Sequence, residues 1–235
     1  MLEAVLFDWG DTLMQWTWEP ELLEAGHAAG LRALGREPLP SLTMRFREAY
    51  LPLLLAPGTL EEVDYPGLVR ALLAESAVDV DDAGLERYLD AEHEAWGAAV
   101  QLASTTHALL ESLRGRGLKL GLVSNAIDPP GLLHRDLGRL GIAERLDTAV
   151  FSSEVGWRKP HPTIFVRALE ALDVAPEHVL FVGDKLSTDI AGASALGMTT
   201  CQALWFQADS DEAPEPDYQA FTQMDVLTIV TRLAG

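Results

Sequence analysis

Short apolar runs alternate with helical segments over the second half of the chain, and this alternation restricts the fold more than any other feature. Strands are predicted at LKLGLVSN (118–125), TAVFSS (148–153), HVLFVGD (178–184) and TTCQAL (199–204), with a helical segment between each pair. Strands joined by helices form parallel sheets that are covered on both faces. The sequence therefore predicts an α/β fold with a doubly wound, Rossmann-like parallel sheet.

A long helical block separates the first strand from the rest of this sheet. AVLF at 4–7 is a short apolar strand, whereas residues 19–102 carry apolar residues at spacings of three and four, which is typical of amphipathic helices. We therefore expect a Rossmann-like core formed by residues 1–15 and 103–235, with an α-helical cap domain inserted at 16–102.

Composition and charge disfavour several classes of partner. The 235 residues include 36 acidic and 17 basic side chains, and the net charge of −19 would repel nucleic acid and anionic membranes. No apolar stretch approaches the roughly 20 residues that span a bilayer, and MLEAVLFD lacks the basic start of a signal peptide. The single cysteine, Cys201, fits a reducing compartment. We expect a cytoplasmic chain without a nucleic-acid or membrane partner; its oligomeric state stays open.

Polar side chains follow four of the predicted strands at their carboxyl ends. They are, in chain order, Asp8, Ser124, Asn125, Lys159, Asp184 and Asp189. Ligands of open parallel sheets bind outside the carboxyl ends of the strands, so we expect these side chains to form one site. Taken singly, each could be a turn former, a helix cap or an ordinary loop charge.

The chemistry of this set indicates phosphoryl transfer. Three carboxylates in a small space raise one another's pKa unless a cation lies between them, and oxygen ligands suit Mg²⁺. Lys159 and Ser124 are suited to hold the anion that the metal also binds. A carboxylate beside a metal and a phosphate cradle predicts transfer of a phosphoryl group to Asp8.

Four motifs in this order resemble the haloacid dehalogenase-like hydrolase superfamily. They are DWGDTL at 8–13, LGLVSN at 120–125, the lysine and proline of SSEVGWRKPHPTIF, and GDKLSTD at 183–189. The resemblance covers the whole chain and implies a phosphatase whose helical cap closes over the site and selects substrates.

The resemblance also implies roles for individual residues. Mg²⁺ would be held by Asp8, the backbone carbonyl of Gly10, Asp184 and Asp189. The phosphate of a small phosphorylated metabolite would be bound by Thr12, Ser124, Asn125 and Lys159, with Thr12 bracing the loop. Asp8 would be the nucleophile, and Ser124 and Lys159 would share the catalysis.

The first motif departs from family phosphatases at one position. Those enzymes carry a general acid/base Asp two residues after the nucleophile, where this chain has Gly10, and Asp11 follows it. Proton delivery to a leaving group contributes about 10²–10⁴-fold to the rate. The expected activity is therefore weak, or another group supplies the proton: Asp11, a bound water, or a cap residue such as His27. A good leaving group would need no such proton.

The expected function is Mg²⁺-dependent hydrolysis of a small phosphate monoester through an aspartyl-phosphate on Asp8. Two alternatives stay open: a binding or regulatory protein that has lost turnover, and a 2-haloacid dehalogenase-like enzyme. A phosphonatase is disfavoured because it needs a cap lysine, and residues 14–102 contain none.

Two further stretches carry weaker predictions. Trp9, Trp16 and Trp18 are candidates for lining a substrate pocket, although packing is an equally good interpretation. Residues 208–217, ADSDEAPEPD, are predicted to form a solvated acidic loop.

Overall fold

The structure is a computed structural model that describes residues 1–17, 19–55, 58–206 and 214–234. Trp18 and residues 208–213 of the predicted acidic loop lie outside the described residues. The strands are β1 (Ala4–Phe7), β2 (Met14–Trp16), β3 (Val100–Leu102), β4 (Lys119–Ser124), β5 (Thr148–Phe151), β6 (Val179–Gly183), β7 (Thr199–Ala203) and β8 (Tyr218–Ala220). The helices are α1 (Pro20–Ala33), α2 (Pro40–Ala49), α3 (Leu51–Leu55), α4 (Tyr65–Glu75), α5 (Asp82–Trp96), α6 (Thr106–Arg114), α7 (Pro130–Arg139), α8 (Ser152–Val155), α9 (Pro162–Leu172), α10 (Ala191–Ala195) and α11 (Asp225–Ala234).

Six strands form one parallel sheet in the order β5-β4-β1-β6-β7-β8, which confirms the predicted α/β class. Side chains alternate along β1: Val5 and Phe7 pack on one face of the sheet, and Ala4 and Leu6 on the other. Both faces are therefore buried, as a parallel sheet requires. No helix among the described residues is long and apolar enough to cross a membrane.

The sequence prediction was wrong at two element boundaries and missed a strand at the sheet edge. The helical block predicted over 19–102 ends before residue 102: its last α-helix ends at Trp96, and Val100–Leu102 is extended and pairs with β2 in a two-stranded antiparallel ribbon. The strand predicted over 148–153 ends at Phe151, where the chain turns into α8. Strand β8 at the sheet edge has only three residues and was not predicted.

The helices α1–α5 share a hydrophobic cluster of their own, built around Leu31, Phe46, Tyr65, Leu72 and Tyr88. This separate cluster supports a cap between β2 and β3, although the exact domain boundaries stay a prediction.

Helix α5 of the cap contacts helix α7 of the core through charged side chains. His93 lies between two carboxylates: its Nδ1 is 2.8 Å from Asp128 Oδ1, and its Nε2 is 2.8 Å from Asp136 Oδ2. Burial lowers the pKa of His93, but the two carboxylates outweigh it and raise the pKa to about 9. Arg135 and Arg139 of α7 also pair with Glu94 of α5.

Candidate active site

Asp8 stands one residue beyond the end of β1, at the carboxyl edge of the sheet. Its backbone N–H donates to Val182 O at 2.9 Å, which continues the pairing with β6 and fixes the residue between neighbouring strands. The side chain is buried, and its Oδ1 accepts a hydrogen bond from Lys159 Nζ at 2.5 Å. The predicted nucleophile therefore lies against a cation at the sheet edge.

Lys159 is the cationic centre of this edge. Its ammonium also lies 2.6 Å from Asp189 Oδ1 and donates to Val123 O at 2.9 Å. Burial lowers the pKa of Lys159, but the carboxylates of Asp189 and Asp8 outweigh burial and raise it. The side chain is therefore charged at neutral pH.

Asp184 and Asp189 complete a cluster of three buried carboxylates with Asp8. One oxygen atom from each lies within 4.8 Å of the others. Gly183 makes this possible, because a Cβ at that position would come within 2.5 Å of the Asp189 carboxylate. Asp189 is held by a hydrogen bond from the backbone N–H of Lys185 at 3.1 Å.

The cluster carries more negative than positive charge. Burial raises the pKa of Asp184 well above its usual range, and the charges of Asp8 and Asp189 add to this effect. Asp184 Oδ1 is buried without a hydrogen-bond partner among the described residues. An orphaned carboxylate oxygen beside two further carboxylates is a donor set that fits a divalent cation such as Mg²⁺.

The predicted anion-binding residues lie at the ends of neighbouring elements. Ser124 is the last residue of β4 and is buried. Asn125 joins the next loop: its Oδ1 accepts from Lys159 N at 2.7 Å, and its Nδ2 donates to Lys159 O at 3.2 Å. The Asn125 amide thus holds the Lys159 backbone in place, and direct contact with a phosphate stays a prediction.

Thr12 is completely buried in the loop that follows Asp8. Its carbonyl accepts from Trp205 Nε1 at 2.9 Å and from Gln223 Nε2 at 3.1 Å, and the Thr106 hydroxyl donates to Leu13 O at 2.7 Å. Sequence reasoning missed Trp205, Gln223 and Thr106 as supports of this loop. No local motif marks them, since they lie far from Thr12 in the chain.

Gly10, where family phosphatases carry the general acid, is surrounded by free space. A Cβ at Gly10 would meet no atom within 4 Å. Asp11 beside it adopts a left-handed backbone with φ of 53°. Desolvation by burial raises the pKa of Asp11, although a hydrogen bond from the Trp16 backbone and the charge of Lys185 lower it. The Asp11 carboxylate is therefore engaged with the backbone of β2.

His27, another candidate proton donor, is enclosed by the cap. Its Nδ1 is 3.0 Å from Thr43 Oγ1, and its ring packs edge-on against Phe46. Burial lowers the pKa of His27 to about 4, and the nearby Arg47 adds to this effect. A neutral, enclosed ring is unsuited to deliver a proton to the sheet edge.

Of the tryptophans proposed to line a pocket, Trp9 is buried in the core cluster with Leu13 and Met14. Trp16 lies on the β2–β3 ribbon and is 40% exposed. Trp9 thus serves packing, and Trp16 keeps an exposed surface near the junction of cap and core.

The fold and this cluster of carboxylates define a class of hydrolase, and comparison with known proteins agrees. The family description "haloacid dehalogenase-like hydrolase" matches residues 2–197. The chain belongs to the haloacid dehalogenase-like hydrolase family.

Named relatives narrow the class to the phosphatases. The chain is 30% identical over 250 residues to a glyceraldehyde 3-phosphate phosphatase of Methanopyrus kandleri, covering 100% of this chain and 99% of the relative. A crystal structure of a haloacid dehalogenase-like (HAD) phosphatase from Thermococcus onnurineus is similar, with a TM-score of 0.66 and 25% identity. The match covers 97% of this chain and 98% of that one. The predicted enzyme class, a HAD-like phosphatase, is confirmed.

The fold itself is shared more widely than the activity. A 2-haloacid dehalogenase from Pseudomonas syringae pv. Tomato DC3000 has a TM-score of 0.71 at 24% identity, covering 99% of this chain and 100% of that one. At this identity the likeness describes the fold alone.

Proposed function

We propose that this phosphatase hydrolyses a small phosphate monoester in the presence of Mg²⁺, through an aspartyl-phosphate on Asp8. The observation that carries the proposal is the position of Asp8, a buried carboxylate at the sheet edge between the Lys159 ammonium and two further carboxylates. The matching relative named glyceraldehyde 3-phosphate phosphatase makes that compound, an alkyl phosphate, a candidate natural substrate.

Each residue of the site has a distinct task in this proposal. The Asp8 carboxylate attacks phosphorus, and the bond between phosphorus and the leaving oxygen breaks. Lys159 and the Ser124 hydroxyl neutralise and orient the transferring phosphoryl group. Attack of water on the phosphoryl-aspartate then releases phosphate and restores the Asp8 carboxylate.

Asp8, Asp184, Asp189 and the carbonyl of Gly10 are the residues that would hold Mg²⁺. When bound, this ion would offset the negative charge of the carboxylates and of the phosphate. The orphaned Asp184 Oδ1 and the compact set of three carboxylates support this role.

Protonation of the leaving group is the step for which this chain is least equipped. Gly10 offers no side chain, and the Asp11 carboxylate is engaged with the Trp16 backbone. We therefore propose fast turnover of esters with acidic leaving groups and slow turnover of alkyl phosphates.

The test compares wild type with Asp8→Asn on an activated aryl phosphate in the presence of Mg²⁺, by measuring phosphate release. We expect turnover by wild type and a loss on the order of 10⁴-fold or more in Asp8→Asn, because the nucleophile is removed. Asp11→Asn is the control, since an activated leaving group needs little protonation and its rate should stay close to wild type.

Two other results would contradict the proposal. An inactive wild type that still binds inorganic phosphate would favour a binding protein. Halide release from a 2-haloacid with a chelator present would favour a dehalogenase.

A further inference from the structure

A short cap segment pairs with the loop that precedes Lys159. Arg158 N donates to Leu60 O at 2.8 Å, and Glu62 N donates to Gly156 O at 2.9 Å, with Glu61 opposite Trp157 in antiparallel pairing. The cap is therefore attached by its backbone to the loop that carries the proposed phosphate-binding lysine.

The side chain of Glu62 extends this contact and is only 3% exposed. Its Oε1 accepts from Arg158 Nη1 at 3.2 Å, and its Oε2 accepts a hydrogen bond from the Ser152 hydroxyl. A buried carboxylate with two such donors holds both donors in fixed positions.

Ser152 links Glu62 to the second loop that would bind phosphate, residues 124–126. Its oxygen accepts a hydrogen bond from Ala126 N at 2.8 Å, two residues after Ser124. Between Ser124 and Ala126, Asn125 clamps the backbone of Lys159 from both sides. One cap carboxylate thus contacts the Lys159 loop directly and the Ser124 loop through the Ser152 hydroxyl.

We propose that Glu62 is a positioning residue that couples the seating of the cap to the arrangement of Ser124 and Lys159. This inference rests on the proposed phosphatase function of the same site. Glu62 does not touch the phosphoryl group; it acts through Ser152 and Arg158. When the cap moves away, the two loops lose the carboxylate that holds them together.

The experiment uses the full chain and compares Glu62→Ala and Glu62→Gln with wild type. The matched control is Glu94→Ala, which removes another cap–core ion pair, to Arg135 and Arg139, without touching either loop. Two quantities are measured with Mg²⁺ present: kcat and KM on an aryl phosphate, and the calorimetric Kd of inorganic phosphate. An irreversibly inactive fraction lowers kcat and the binding stoichiometry but leaves the Kd and KM of the folded protein unchanged.

We expect Glu62→Ala to lower kcat/KM about 10–100-fold and to weaken phosphate binding about tenfold, as for other residues that orient a ligand-binding group. Glu62→Gln can still accept from Ser152, so it should recover a large part of both losses. Glu94→Ala should stay within about twofold of wild type, because its ion pairs are exposed and remote from the loops.

The inference is overturned if Glu62→Ala retains the wild-type phosphate Kd, or if Glu94→Ala shows an equal loss. If Glu62→Ala does not fold, an unchanged phosphate Kd in Glu62→Gln combined with Ser152→Ala overturns it equally. Failure of the phosphatase proposal has a different signature, namely a wild type that is as inactive as Asp8→Asn. A wild type that binds no phosphate overturns both.

Discussion

In two regions of the molecule carboxylates surround a buried cationic side chain, His93 or Lys159, and the regions differ in how the charges balance. At the cap–core contact, Asp128 and Asp136 each face one nitrogen of His93, and Arg139 lies 3.7 Å from Asp136. At the sheet edge, the ammonium of Lys159 contacts Asp8 and Asp189, the charge of Lys185 lies near Asp184, and Asp184 Oδ1 has no hydrogen-bond partner among the described residues.

This difference distinguishes the structural contact at His93 from the candidate ligand-binding site at the sheet edge. At His93 both ring nitrogens donate, and Asp128 and Asp136 each accept, so the hydrogen bonds of this group are satisfied by the protein itself. At the sheet edge burial and the neighbouring carboxylates make ionisation of Asp184 unfavourable, which costs stability. Such a cost is expected where a ligand supplies the missing positive charge.

The largest effect that would sharpen this comparison is an increase in kcat after a substitution at the sheet edge. Gly10→Asp introduces the missing acid where a side chain has free space. We expect an increase of about 10²–10⁴-fold in kcat on an alkyl phosphate, because proton delivery to a poor leaving group is restored. Steady-state kinetics on alkyl and activated aryl phosphates measure the effect.

Gly10→Asn is the matched control, since it has the same shape without the proton. It should leave the alkyl phosphate rate near that of wild type, and neither variant should change the aryl phosphate rate greatly. An equal gain in Gly10→Asn would show that the acid is not the missing component.

The second prediction concerns the free energy of unfolding. If a carboxylate-to-amide substitution changed it in the same direction in both regions, the comparison would fail. Without metal, Asp184→Asn should stabilise the protein by on the order of 2 kcal/mol, because it removes a carboxyl group whose ionisation is unfavourable at this buried position. Asp136→Asn should destabilise it by about 1–3 kcal/mol, because it removes a charged hydrogen bond to His93. Urea unfolding in a chelator at neutral pH measures both free energies.

Addition of Mg²⁺ extends this test to the ligand. Mg²⁺ should raise the Tm of wild type and of Asp136→Asn, whereas the rise should be lost in Asp184→Asn. Destabilisation by Asp184→Asn in the chelator would instead mean that the protein already satisfies the charge at the sheet edge.

The sheet and its strand-end residues could be predicted because both leave local signals. Apolar runs mark the strands, and Asp8, Ser124 and Asp184 directly follow or end them, so the parallel topology brings them to one edge. The GDKLSTD motif likewise fixes Asp189 relative to Asp184. These inferences need only the neighbours of each residue in the sequence.

The contacts between cap and core could not be predicted in this way. Glu62 meets a serine 90 positions away in the chain, and His93 meets a carboxylate 35 positions away. A lone Glu in a loop or a His on an amphipathic helix looks like ordinary surface charge, because only the packed fold determines its partners. The β2–β3 ribbon was missed for a different reason: each of its strands has only three residues, which is too short to show a clear alternation.

The last predicted effect is the pH dependence of the His93 contact. Its pKa is about 9 in the folded protein against about 6.5 when unfolded, so the contact stabilises fully below about pH 6.5. The contribution is lost as the pH rises through about 9, because the neutral ring can donate from only one nitrogen. The free-energy difference between wild type and His93→Gln should thus fall by on the order of 2 kcal/mol between pH 6 and pH 10. Urea unfolding at both pH values measures it, and a difference that grows with pH would show that His93 is neutral in the fold.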